Sequence, residues 1–125
     1  MKTTLTFTQV CRTLDAAGEA YGVLALQNGA QAVVTRYGGR IFGPFLSADT
    51  PSLNWINPAF ASAEALHAFL ASGDWNVGGE RLWIAPEIVY NVSDRFAIDA
   101  TYNLPAAVDP ARYTLAPEGA GWALA

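Results

Sequence analysis

Cysteine and histidine are almost missing: Cys11 and His67 are single occurrences in 125 residues. One cysteine excludes an internal disulfide. One thiol and one imidazole cannot assemble a four-ligand zinc site within the chain, and no EF-hand loop is present. Charge is also scarce: 14% of residues are charged, where an ordinary soluble domain has ~25%. Seven Lys+Arg stand against eleven Asp+Glu, a net charge of -4. The bases are scattered singly, with no stripe to neutralise a phosphate backbone, which argues against nucleic acid as a partner. No apolar run approaches the ~18 residues of a membrane span. The start, MKTTLTFTQVCR, has no continuous apolar core of a signal peptide, so a cytoplasmic location is expected. There is no P-loop, Rossmann fingerprint or Ser-His-Asp pattern, and no cofactor is expected.

What the chain does have is apolar residues, 52% of the total, in a length that supports one domain with a core. Thr8 is placed to cap a short helix carrying Val10, Leu14 and Ala17 on one side, with Gly18 past its end. YGVLALQ and AQAVVT flank Asn28-Gly29, a strong hairpin signal. RIFGPFL is a strand whose Gly43-Pro44 implies a bulge or an edge position, and SLNWIN is a further short strand. A helix is predicted over 58–72, with Asn57 as N-cap, Pro58 at its first position and Gly73 past its end. Phe60, Ala63, Leu66, Phe69 and Leu70 form its apolar stripe, and His67 lies beside that stripe as a boundary or surface residue. IVYNV and RFAID are predicted as strands around Ser93-Asp94, followed by an extended piece at 101–104 and a closing strand-like GWALA. Asn91-Val92-Ser93 is a sequon in form, taken here as an ordinary turn. The expected fold is mostly antiparallel β with two short helices.

The stretch WNVGGERLWIAPE, residues 75–87, carries the chemistry. As a strand over 80–85 it places Arg81 and Trp83 on one face, with Glu80, Leu82 and Ile84 on the other; Leu82 and Ile84 are then natural core residues. An indole beside a guanidinium suits a polyhydroxylated ring. The indole packs on the C–H face and the guanidinium donates to hydroxyls. Gly78-Gly79 admits close backbone approach, and Pro86 fixes the direction of Glu87. The alternative on the same residues is a Trp83 buried in a two-sided core, with Arg81 paired to Glu80 or Glu87. Trp55, Trp75 and Asn76 read first as structural, with Asn76 kept among the candidate ligand contacts. Glu80 and Glu87 are the available carboxylates for acid–base work, a weak signal among eleven acids.

YGGRIFGPFL, LNWINP, a helix and WNVGGERLWIAPE resemble, in that order, the N-terminal part of galactose mutarotase-like (aldose 1-epimerase-like) proteins, over roughly residues 20–90. The likeness is to a bacterial branch in which a Gly-Gly-acid-Arg-apolar-Trp segment leads to Pro-Glu. The resemblance implies an antiparallel β-sandwich, the supersandwich, with a sugar cleft on one concave sheet. It implies a sugar-binding role for Arg81, with Trp83 and Glu87 as neighbours; Glu80 and Asn76 complete the candidate substrate contacts. The family's general acid His and general base Glu have no match here, and His67 lies outside the family's histidine motifs. Sandwich domains often run ~200–250 residues, so the chain is expected to be the N-terminal part of one such domain, residues 1–125. On that expectation it binds an aldose but is inactive alone. Two competing expectations are a non-catalytic carbohydrate-binding module and a complete short β protein that covers open sheet edges by self-association.

Overall fold

The computed structural model describes residues 4–125. Thr6, two residues before the expected cap, starts the first helix, α1 (Phe7–Ala17). Its hydroxyl accepts from the Gln9 backbone N–H, and the Gln9 side chain answers by accepting from the Thr6 N–H at 3.0 Å. That reciprocal capping box outcompetes Thr8, whose hydroxyl instead donates to the Ala48 carbonyl. Val10 and Leu14 are buried on the inner face of α1, and Gly18 closes the helix in a left-handed conformation.

The hairpin forms as expected. β1 (Tyr21–Ala25) and β2 (Gln31–Thr35) pair antiparallel, Val23 opposite Val33. Asn28 sits at φ 59° inside a 3-10 turn spanning Gln27–Gly29, so the connection is longer than a two-residue turn. β3 (Ile41–Phe45) adds to β2 as the third strand, and the register slips between Gln31 and Val33 opposite Gly43-Pro44. Both readings of Gly43-Pro44 therefore apply: the strand is an edge and it contains a bulge.

The segment 52–56 is not a strand. Its backbone partners lie in three different places: Ser52 donates to Leu5, Leu53 to Pro44, and Trp55 accepts from Gly79. Only 55–57 meet one partner segment, 77–79, through the Trp55 carbonyl, the Ile56–Gly78 bridge and the Asn57 N–H, too short a run for a ladder to grow. The helix expected over 58–72 divides into a 3-10 turn (Pro58–Ala61) and α2 (Ala63–Ser72). Asn57 caps the first piece through Ala59, and Ser62 caps the second through Ala65. α1 and the 3-10 turn pack with α2, and the core gathers Leu14, Val33, Phe42, Phe45, Phe60 and Leu66 between helices and sheet. Phe42 meets Phe60 edge-to-face at 4.9 Å. His67 is exposed on α2, its Nε2 lying 2.8 Å from the Ala17 carbonyl oxygen.

After Glu80 the chain leaves the sheet, and IVYNV and RFAID coil instead of extending. They contain two one-turn helices, α3 (Glu87–Tyr90) and α4 (Ile98–Thr101). Side-chain bonds explain the coiling. Asp94 Oδ1 accepts from the Phe96 N–H, and Thr101 Oγ1 donates to Ala97 O and accepts from the Asp94 N–H. Tyr102 returns as a single bridge to Val92. The sequon residue Asn91 is buried. The C-terminal residues form a second hairpin, β4 (Leu115–Glu118) with β5 (Gly121–Leu124), as the GWALA pattern implied.

The result is two small open antiparallel sheets, of three and two strands, with short helices. Helix takes about 30% of residues and strand about 26%, so the chain is mixed rather than mostly β. The β4–β5 hairpin is held to β1 by Trp122, whose indole lies over Gly22 and donates to the Val23 carbonyl at 3.1 Å. Arg112 adds a two-pronged pair with Glu19 at 2.8 and 3.0 Å. No helix among the described residues is long and apolar enough to cross a membrane.

Candidate functional site

Gly78 and Gly79 decide where the opening stretch points. Both are left-handed, at φ 85° and 71°. A Cβ on Gly78 would stand 2.4 Å from the Trp55 carbonyl oxygen, and one on Gly79 would stand 2.7 Å from the Ile41 carbonyl oxygen. Backbone is thus pressed against backbone where no side chain fits. Glu80 then makes a two-bond bridge with Ile41, at 2.8 and 2.9 Å. That bridge is the whole of the strand expected over 80–85. Leu82, expected in the core, is 85% exposed, and Ile84 is exposed as well.

Arg81 turns away from the surface toward Asp109. Asp109 is buried and takes two guanidinium groups at once. Arg40 Nη2 donates to Oδ1 at 2.9 Å and to Oδ2 at 2.7 Å, and also to the Trp75 carbonyl at 3.2 Å. Arg81 Nη1 donates to the same Oδ2. Arg40 and Asp109 are each 2% exposed, whereas the Arg81 side chain keeps 23%. Burial pushes the Arg40 pKa down, and the Asp109 charge opposes that by holding the proton in place. Two cations on one carboxylate leave one positive charge in excess.

The indoles complete the cluster. Arg81 Cζ lies 3.7 Å from the Trp83 ring centroid and 4.4 Å from that of Trp75, and Arg40 Cζ lies 6.0 Å from Trp75. Arg81 and Trp83 thus lie together, not as neighbours on one face of a strand but through a guanidinium stacked on the ring. The pairing of Arg81 with Glu80 or Glu87 is replaced by Asp109. Trp75 belongs to the cluster, although the sequence reads it as structural. An open cleft of about 370 Å³ adjoins it, lined by Trp75, Tyr102, Asn103, Leu104, Asp109 and Pro110 among others.

No family model, curated protein or solved structure matches this chain.

Glu87 borders the cluster. Tyr102 donates its phenol O–H to Glu87 Oε1, and Asn91 Nδ2 lies 3.4 Å from the same oxygen. The Tyr102 bond, then Asn91, Trp83 and the Arg81 charge hold the Glu87 carboxyl below its usual range. The same bond to Glu87 pushes the Tyr102 phenol up. The two shifts move the groups apart in pKa, which suits a fixed contact and does not suit proton exchange at neutral pH.

Glu80 and Asn76 do not join these residues. Glu80 Oε1 accepts from Asn54 Nδ2 at 3.1 Å. Asn76 is an exposed turn residue, its N–H donating to Asp74 and its carbonyl accepting from Asn57. Among the described residues no three His, Cys, Asp or Glu are placed to hold a metal. Asp109, Arg40 and Tyr102 were missed by sequence reasoning. Arg40 lies in the quoted Gly-Gly-Arg, but nothing in spacing links it to an aspartate in the proline-punctuated C-terminal third.

Proposed function

We propose that this chain is a carbohydrate-binding part of a galactose mutarotase-like protein, with an aldose ring received at the Trp75–Arg81–Trp83 cluster. One observation carries the reading: Arg81 is fixed by Asp109 through Nη1 alone, and its partners Asp109 and Trp75 line an open cleft. Among the described residues its Nε and Nη2 meet no acceptor, so these N–H groups are free to donate to sugar hydroxyls. Trp75 is 37% exposed and offers apolar ring surface beside those donors. Asn103 supplies a polar side chain along the same cleft. The role is binding. No histidine enters the cluster, and Glu87 is committed to Tyr102.

Isothermal titration with methyl α-D-galactopyranoside and methyl α-D-glucopyranoside tests this reading. Loss of hydrogen bonds from a charged donor costs about 1.5–3 kcal/mol, so Arg81→Ala weakens binding by roughly 10- to 150-fold. Unchanged affinity removes Arg81 from the site. Polarimetry on freshly dissolved α-galactose then separates enzyme from binder, because an enzyme accelerates the drift and a binder does not.

A second reading, self-association, is favoured by the exposed apolar residues between 82 and 98. Phe96 is 102% and Leu82 85% exposed. Further strands of a larger sandwich would cover them equally well. Sedimentation velocity distinguishes the two, since a monodisperse monomer counts against self-association.

A further inference from the structure

The motif LNWIN is not used by the cluster around Arg81, and its Trp55 is set in a place of its own. One side of the Trp55 ring rests on Gly78, where a Cβ would come within 2.9 Å of Trp55 Cε3. Its backbone is pinned by the Gly79 N–H to Trp55 carbonyl bond at 2.9 Å and by the Ile56–Gly78 bridge. The indole is nevertheless 48% exposed. A large aromatic group is therefore held on one side by glycine backbone and left open to solvent elsewhere.

Next to it is a cavity of about 150 Å³ bounded by Thr4, Leu5, Ser52, Asn54, Trp55 and Ile56, among others. Asn54 Nδ2 is fixed by Glu80 Oε1 at 3.1 Å, which leaves Asn54 Oδ1 and Glu80 Oε2 as oriented acceptors beside the exposed indole. An apolar platform and a fixed amide–carboxylate pair match the two-sided chemistry of a pyranose ring, C–H on its face and O–H around its rim.

We propose that Trp55, Asn54 and Glu80 form a second pyranoside-binding subsite, separate from the Arg81 cluster. The indole stacks on the ring, and Asn54 Oδ1 and Glu80 Oε2 accept from ring hydroxyls. Glu80 thereby keeps the ligand-binding role expected of it, at a different site from Arg81. Among the described residues that bound the cavity none is a cation, which directs the subsite to neutral pyranosides and away from phosphorylated or carboxylated ones.

The test is a 1H–15N NMR titration of the full chain with methyl β-D-galactopyranoside and methyl β-D-glucopyranoside. The four indole N–H signals are assigned by Trp→Phe substitution, and glycerol serves as a ringless polyol control. The expected result is a saturable shift of the Trp55 indole and Asn54 amide signals with at least one glycoside. It persists in Arg81→Ala, so failure of the first site and failure of the second are read separately. Asn54→Ala, on the surface, weakens the Trp55 response by about 2- to 10-fold, the worth of one ordinary hydrogen bond. The proposal is overturned if Trp55 and Asn54 signals stay fixed while others move or none move. It is equally overturned if glycerol at matched hydroxyl concentration produces the same shifts.

Discussion

Arg40 and Asp109, 69 residues apart in sequence, meet through two hydrogen bonds of 2.7 and 2.9 Å with both side chains almost fully buried. This contact joins the start of β3 to the proline-punctuated loop before the C-terminal hairpin. It also sets the position of Arg81, because the same carboxylate oxygen receives Arg81 Nη1. Asp109 is therefore the residue on which both the fold of the C-terminal third and the shape of the proposed sugar site depend.

Asp109→Ala leaves two guanidinium groups without their counter-charge, one of them in a buried position. Removing one partner of a buried pair costs about 3–5 kcal/mol, and urea denaturation should lose that much. Asp109→Asn retains the shape and an acceptor and is expected to lose less. The informative comparison is with Arg81→Ala, whose side chain is part-exposed and whose removal leaves the Arg40–Asp109 pair intact. It should cost clearly less stability than Asp109→Ala while still impairing sugar binding. Equal losses for the two variants would show that Arg81, and not the buried pair, holds the loop.

Gly22 and Trp122 form the other long-range fastening. A Cβ on Gly22 would fall 2.1 Å from Trp122 Cε2, closer than any shift of the Cβ alone relieves. Gly22→Ala is therefore expected to displace the indole from β1 and break its bond to the Val23 carbonyl. Overpacking of this kind costs about 1–3 kcal/mol. In a Trp122→Ala background the same substitution has nothing to displace and should be close to neutral. A double-mutant cycle by urea denaturation reads the difference as a coupling of about 0.5–3 kcal/mol. Additive effects would mean that the hairpin is held by Arg112–Glu19 instead.

The sequence made the N-terminal half legible where local chemistry is decisive. The β1–β2 hairpin follows from Asn28-Gly29, and the interruption in β3 from Gly43-Pro44. The Asn57-Pro58 start and the Gly73 stop of the second helical segment hold, although Ser62 divides that segment by capping its own helix. Beyond residue 80 the guide failed for an identifiable reason. Alternating apolar residues mark a strand only where a neighbouring strand exists to pair with, and 88–98 have only the single Val92–Tyr102 bridge. Asp94 and Thr101 side chains satisfy the backbone there and close short helical turns. In the site, the expectation that Arg81 and Trp83 share one side rested on a strand over 80–85 that does not form; the two meet instead through a direct guanidinium–indole contact. Asp109 was invisible because its partners lie 28 and 69 residues away, with no periodicity to connect them.

The Tyr102–Glu87 contact gives a pH signature with a defined sign. Glu87 has its carboxyl held down, first by the Tyr102 phenol, and is fully exposed otherwise. A depressed carboxyl favours the folded state above its unfolded pKa, about 4.3, and that contribution is lost as pH falls through the folded value. Tyr102 is raised, first by the bond to Glu87. Its contribution is present below the unfolded phenol value, about 10, and is lost as pH rises through the folded one. The contact is thus kept across the neutral range and released at both extremes. Tyr102→Phe removes the donor, and the Glu87 carboxyl carbon, followed by 13C NMR titration, should then show a midpoint moved upward toward the ordinary carboxylate value. Because Asn91, Trp83 and Arg81 also hold the carboxyl down, the return is expected to be incomplete. A midpoint unchanged by Tyr102→Phe would assign the depression to those three groups and would leave the exposed edge of the Arg81 cluster without its phenol-to-carboxylate bond.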